Sequence, residues 1–103
     1  MAVKEKIFGS VLCTMPFEDI DEVICRANLA EYGLASGVWT KDISKACKII
    51  NTLEAGTVLV INYLKSDNAI LLAGYKQSGI GAEMGYPGIE AYTKTKNVVI
   101  NLA

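Results

Sequence analysis

The segment Gly79-Ile80-Gly81-Ala82-Glu83-Met84-Gly85 is the first place in this chain where residue type and spacing invite chemistry. Closely spaced glycines let backbone N–H groups approach a phosphate, as in dinucleotide-binding loops. Here three residues rather than two precede the last glycine. No predicted strand leads into the segment and no amphipathic helix follows, and the fingerprint needs both. The glycines are therefore read as points where the backbone turns tightly. Lys76, just upstream, stands alone, and a solitary lysine is ordinarily solvated or ion-paired rather than a nucleophile.

A second cluster is acidic: Glu18, Asp19, Asp21 and Glu22. Carboxylates this dense could hold a metal. They also crowd the first turns of a predicted helix, where the macrodipole favours negative charge, and no second ligand cluster accompanies them. No metal site is expected. The three cysteines, Cys13, Cys25 and Cys47, lack the close pairing of a zinc site or a disulfide framework. They are read as reduced, buried thiols of a cytoplasmic protein. Histidine is absent, which removes the commonest general base and every Ser-His or Cys-His nucleophile pair. Tyr63, Tyr75, Tyr86 and Tyr92 are read as packing residues. With a net charge of -1 and no basic interleaving, they form no nucleic-acid platform. These residues alone specify no reaction.

The elements that must position them follow from hydrophobic periodicity. A chain of 103 residues is one domain. Hydrophobic residues make up 51%, more than a well-solvated small domain needs, so either the core is full or part of the surface is meant to be covered. No apolar run is long enough to span a membrane, and no secretory leader is visible. Val11 to Met15 reads as a buried strand closed by Pro16. Ile20, Val23, Ile24 and Ala27 share one helical face, with Gly33 as the stop. Gly37-Val38-Trp39 is a second strand. Asp42 is an N-cap, and Ile43, Ala46, Cys47 and Ile50 repeat the helical spacing up to Gly56. Thr57 to Ile61 is a third strand, apolar throughout, as in strands buried on both faces. Strand, helix, strand, helix, strand at this spacing predicts parallel strands with right-handed crossovers. Residues 62–88 read as a long ordered loop, Ile89 to Thr93 as a helical turn, and Asn97 to Leu102 as a last strand.

Several of these segments, in order, resemble the C-terminal part of an aldehyde dehydrogenase. Lys6-Ile7-Phe8-Gly9-Ser10-Val11 is similar to that family's Glu-Ile-Phe-Gly-Pro-Val. Asp21-Glu22-Val23-Ile24, Arg26-Ala27-Asn28, Tyr32-Gly33-Leu34, Gly37-Val38-Trp39-Thr40 and Leu53-Glu54-Ala55-Gly56-Thr57-Val58 continue it. Gly74-Tyr75-Lys76-Gln77-Ser78-Gly79-Ile80-Gly81, then Glu83 and Tyr92-Thr93-Lys94-Thr95-Lys96, complete it. The tail leans toward the betaine-aldehyde and aminoaldehyde branch.

The resemblance implies an α/β fold: a short parallel sheet with two crossover helices, from the C-terminal part of the catalytic domain, plus a C-terminal oligomerisation strand. It divides the chain into a catalytic-domain remnant, 1–96, and that strand, 97–103. It implies cytoplasmic NAD- or NADP-dependent oxidation of aldehydes through a cysteine thiohemiacetal. The family's nucleophile, base, oxyanion asparagine and cofactor domain precede the matched segment, so none of the three cysteines takes the catalytic role. Lys6 stands where the family's glutamate holds the nicotinamide ribose hydroxyls, and an ammonium donates where a carboxylate accepts. Phe8 would flank the nicotinamide. Ser10 replaces the motif's proline, and Ala82 an arginine. Leu72, within Leu71-Leu72-Ala73-Gly74, replaces a pocket-lining aromatic, and Ser66 stands where an aromatic often lines the aldehyde tunnel. The expectation is a truncated aldehyde dehydrogenase-like protein, inactive alone and without a cofactor of its own. The alternatives are one piece of a split enzyme and a module that binds intact family subunits. Self-association through Asn97 to Leu102 is expected.

Overall fold

The structure, a computed structural model, describes residues 4–63, 65 and 67–102. The best-packed part lies between Ile20 and Val60. Helix α1, Ile20–Asn28, starts where the Asp19 carboxylate accepts from the Glu22 N–H at 2.8 Å. That bond satisfies one orphan donor of the first turn. The helix stops at Asn28, well before Gly33, because the chain leaves it to form β1, Tyr32–Gly33. Strand β2, Ala35–Val38, follows, and then helix α2, Ile43–Thr52. Asp42 caps α2 as the sequence predicts, accepting from Ser44 N at 2.9 Å and Lys45 N at 3.2 Å. Strand β3, Thr57–Val60, pairs with β2 in parallel, from Ala35 opposite Thr57 to Val38 opposite Val60. The helix of one turn face and the strand of the next thus form a β2-α2-β3 unit. Ile24 of α1, Val38 of β2 and Ala46 of α2 are buried where these elements meet.

Residues 62–88 are less of a loop than expected. They contain β4, Leu72–Ala73, β5, Tyr75–Lys76, and β6, Ala82–Glu83. β5 pairs antiparallel with β1, and β4 with β6. Two-residue strands carry too little periodicity to be legible in sequence. The glycines do provide the turns: Gly79, Gly81 and Gly85 all have positive φ. Helix α3, Gly85–Glu90, begins earlier than the helical turn placed at Ile89 to Thr93.

Three expectations need correction. Val11 to Met15 is not a buried strand: it forms no ladder with any other described segment, and Leu12 is 87% exposed. An apolar run shows that a segment belongs against something apolar, not that its partner lies within the same chain. Among the described residues only α2 joins two paired parallel strands, and α1 is preceded by none. The thiols of Cys13, Cys25 and Cys47 are free and exposed, because they sit on the outward side of the arm and of both helices. The tyrosines expected to pack, Tyr63, Tyr75, Tyr86 and Tyr92, are exposed as well.

The described chain is elongated, with extents of 74 × 33 × 23 Å. Its radius of gyration is 18.9 Å, where a compact 100-residue domain has about 13 Å. Asn97 to Leu102 forms no ladder with the rest of the described chain, and its apolar side chains are exposed. No helix among the described residues is long and apolar enough to cross a membrane.

Candidate functional site

The positions singled out in sequence do not converge. Lys6 and Phe8 lie on an N-terminal arm, residues 4–17, whose side chains are all exposed. The Lys6 ammonium sits 5.4 Å from the centre of the Phe8 ring and 5.5 Å from that of Tyr32 in β1. Both distances are within cation–π range. Leu72 lies in β4, half-buried, in a separate open cleft with Leu34, Gly81, Met84 and Tyr92. That cleft contains neither Lys6 nor Phe8. Ser66 lies outside the described residues.

The acidic cluster is spent on local structure. Asp19 caps α1, Asp21 pairs with Lys48 of α2 at 2.6 Å, and Glu22 pairs with Arg26 one turn on. Glu22 also accepts from the Glu18 N–H at 2.9 Å. Among the described residues no group of three histidine, cysteine or carboxylate side chains is placed to hold a metal.

Lys76 is ion-paired, as a solitary lysine was expected to be, but its setting was not foreseen. Its ammonium donates to the carbonyls of Asn28 at 2.6 Å and Ala30 at 3.1 Å, and pairs with Glu54 at 2.6 Å. It therefore caps the C-terminal end of α1, where orphan carbonyls and the negative end of the dipole favour a cation. Asn28 bridges the same region, donating to Thr52 O at 2.7 Å and accepting from Glu54 N at 3.0 Å. Tyr32, Asn28 and Glu54 were missed as working residues. Their partners are many positions away, and no local spacing signals them.

The described residues gather no acceptor group beside Phe8. The Lys6 ammonium only donates hydrogen bonds and lies against two rings. The turn through Gly79 and Gly81 opens no helix of cofactor-binding length, since α3 has 6 residues.

Comparison with known proteins decides the ancestry. The family model of the Aldehyde dehydrogenase family matches residues 1–98. The chain belongs to the aldehyde dehydrogenase family. A 4-trimethylaminobutyraldehyde dehydrogenase of Oryzias latipes is 49% identical over 95% of this chain, and the match covers 19% of that protein. An aldehyde dehydrogenase of Bacillus cereus, solved as its NAD+ complex, is 46% identical with a TM-score of 0.87. The match covers 97% of this chain and 20% of that one. A betaine aldehyde dehydrogenase of Staphylococcus aureus, in complex with NAD+, is 43% identical with a TM-score of 0.83 over 87% of this chain and 18% of its own. The chain thus spans about one fifth of the length of such relatives. Its α/β arrangement is that of a region of the aldehyde dehydrogenase fold. Because the overlay takes in nearly the whole chain, its extended course is one that a larger folded dehydrogenase also contains.

Proposed function

We infer that this chain is an aldehyde dehydrogenase segment that is catalytically silent alone and acts, if completed, as the C-terminal portion of an NAD(P)-dependent aldehyde-oxidising body. One observation carries this reading. The chain exposes 8900 Å² of surface. A compact monomer of 11.1 kDa exposes about 5,700 Å², so the excess is about 3,200 Å². One partner in an ordinary stable complex gives up only about 800 Å². Surface on that scale, studded with Phe8, Leu12, Val99 and Leu102, supports a fold meant to lie against further protein. In such a body Phe8 and the Leu72 cleft would face cofactor and substrate, and the nucleophile and base would come from the completing part. The substrates of the similar proteins suggest a betaine or trimethylamino aldehyde. Three thiols free of disulfides suit a cytoplasmic setting.

The test is reduced-cofactor absorbance with betaine aldehyde, aminobutyraldehyde and acetaldehyde. The expected result is no turnover by the chain alone with NAD or NADP. Turnover above a protein-free control would overturn the reading. Activity that appears only after adding the preceding part of a relative's catalytic domain would identify a split enzyme.

A second reading, association with another copy or with intact family subunits, is favoured by Asn97 to Leu102. This segment is mostly apolar, exposed, free of charge and in no ladder with the described residues, which makes it a template for another chain's backbone. Division at residue 96 into remnant and oligomerisation strand belongs to this reading. Light scattering coupled to gel filtration should show an oligomer that is lost when the chain ends at Lys96. A monomer at tens of micromolar, unchanged by the truncation, would refute it.

A further inference from the structure

We propose that Lys6 is a charge-dependent latch that docks the N-terminal arm on β1, with the Phe8 and Tyr32 rings as its two faces. The start of the arm lies beside the body, with Lys4 and Glu5 lining a small cleft with Leu29, Ala30 and Tyr32, and Glu5 has an interaction of its own. Between Ile7 and Met15 the backbone bonds among the described residues are local, Ile7 N to Glu5 O and Val11 N to Gly9 O, and every residue is exposed. At its far end, Arg26 of α1 donates to Pro16 O at 2.9 Å, which fixes the root but not the tip. At the tip, the Lys6 ammonium lies 5.4 Å from its own neighbour Phe8 and 5.5 Å from Tyr32, which belongs to the folded body.

The geometry makes the charge the joining element. A cation is attracted by the negative face of each ring. Phe8 alone, 91% exposed, would not stay in place by burial. Tyr32 is a rigid anchor, because its strand pairs with β5 opposite Lys76, and Lys76 is pinned to Asn28, Ala30 and Glu54. A run of contacts therefore connects the arm tip to the end of α1 through two lysines. Any change that removes this charge, such as acylation of the amine, releases the tip and with it Phe8.

Only the Lys6–Tyr32 contact joins arm to body, and losing one exposed cation–π contact lowers the ratio of docked to undocked arm about 2- to 5-fold. The experiment is NMR of the full chain with Lys6→Arg and Lys6→Met. Arginine keeps the charge, and methionine keeps a flexible stem without it. In the unaltered chain the Lys6 ε-protons should resonate upfield of those of Lys4, from ring currents. Fast-timescale order of residues 6–10 should match β1. Lys6→Arg should preserve that order and Lys6→Met should reduce it, with the nuclear Overhauser contacts between side chain 6 and the Tyr32 ring weakened. The position is exposed, so neither change threatens the fold. Tyr32→Leu serves as the second variant and should loosen the arm as Lys6→Met does. Order unchanged in Lys6→Met, or lost equally in Lys6→Arg, would overturn the proposal.

Discussion

Replacing Gly56 by alanine should destabilise the β2-α2-β3 unit by about 3 kcal/mol, although the backbone there is of ordinary hand. Two effects oppose each other. Alanine restricts the unfolded chain, which stabilises by about 0.4–1 kcal/mol where the native conformation accepts it. Against this, a Cβ on Gly56 would sit 2.7 Å from the carbonyl carbon of Ala73 and closer still to its oxygen. The obstacle is backbone, so no rotamer change relieves it, and overpacking of this kind costs about 1–3 kcal/mol. The strand start must also move. That strains the bonds from Gly56 N to Gly33 O, 3.0 Å, and from Thr57 N to Leu34 O, 3.1 Å. Each is worth about 0.5–1.5 kcal/mol. The clash and the lost bonds outweigh the entropy. The assay is native-state amide exchange on Val58 to Val60, alongside urea unfolding followed by circular dichroism. Gly9→Ala is the control, since a Cβ there meets nothing within 4 Å, and its effect should stay within about 1 kcal/mol. Gly56→Ala with the exchange rates and midpoint of the unaltered chain would refute the close-approach reasoning.

Asp42→Ala should cost about 0.5–2 kcal/mol in urea unfolding by removing the cap on Ser44 and Lys45, and Asp42→Asn should recover most of that. All three thiols should react promptly with a disulfide reagent without denaturant, releasing three equivalents of chromophore, because all three are exposed. Slow release of any one equivalent would show that its thiol is covered in solution.

Ancestry was legible in the sequence because motifs in fixed order and spacing survive wherever a fold constrains them locally. α1, α2 and β3 were legible for a related reason. Their apolar periodicity and the Asp42 cap are properties of neighbouring residues. The glycine turns at Gly79 and Gly81 were foreseen on the same grounds, since positive φ is a local demand. Gly56 shows where local reading stops. It looks like a helix terminator, yet α2 ends at Thr52 and the glycine is needed because Ala73 crosses against it. Val11 to Met15 and the three cysteines mislead in the same way. Hydropathy reports a preference for cover, and cover comes from residues distant in sequence or from another body. The candidate site divides along this line. Lys6, Phe8 and Leu72 could be named from their motifs, but their separation, the Tyr32 face against Lys6 and the grip of Lys76 on the end of α1 arise from contacts between residues many positions apart. Sequence spacing carries no record of such contacts, because they exist only once the chain has folded back on itself.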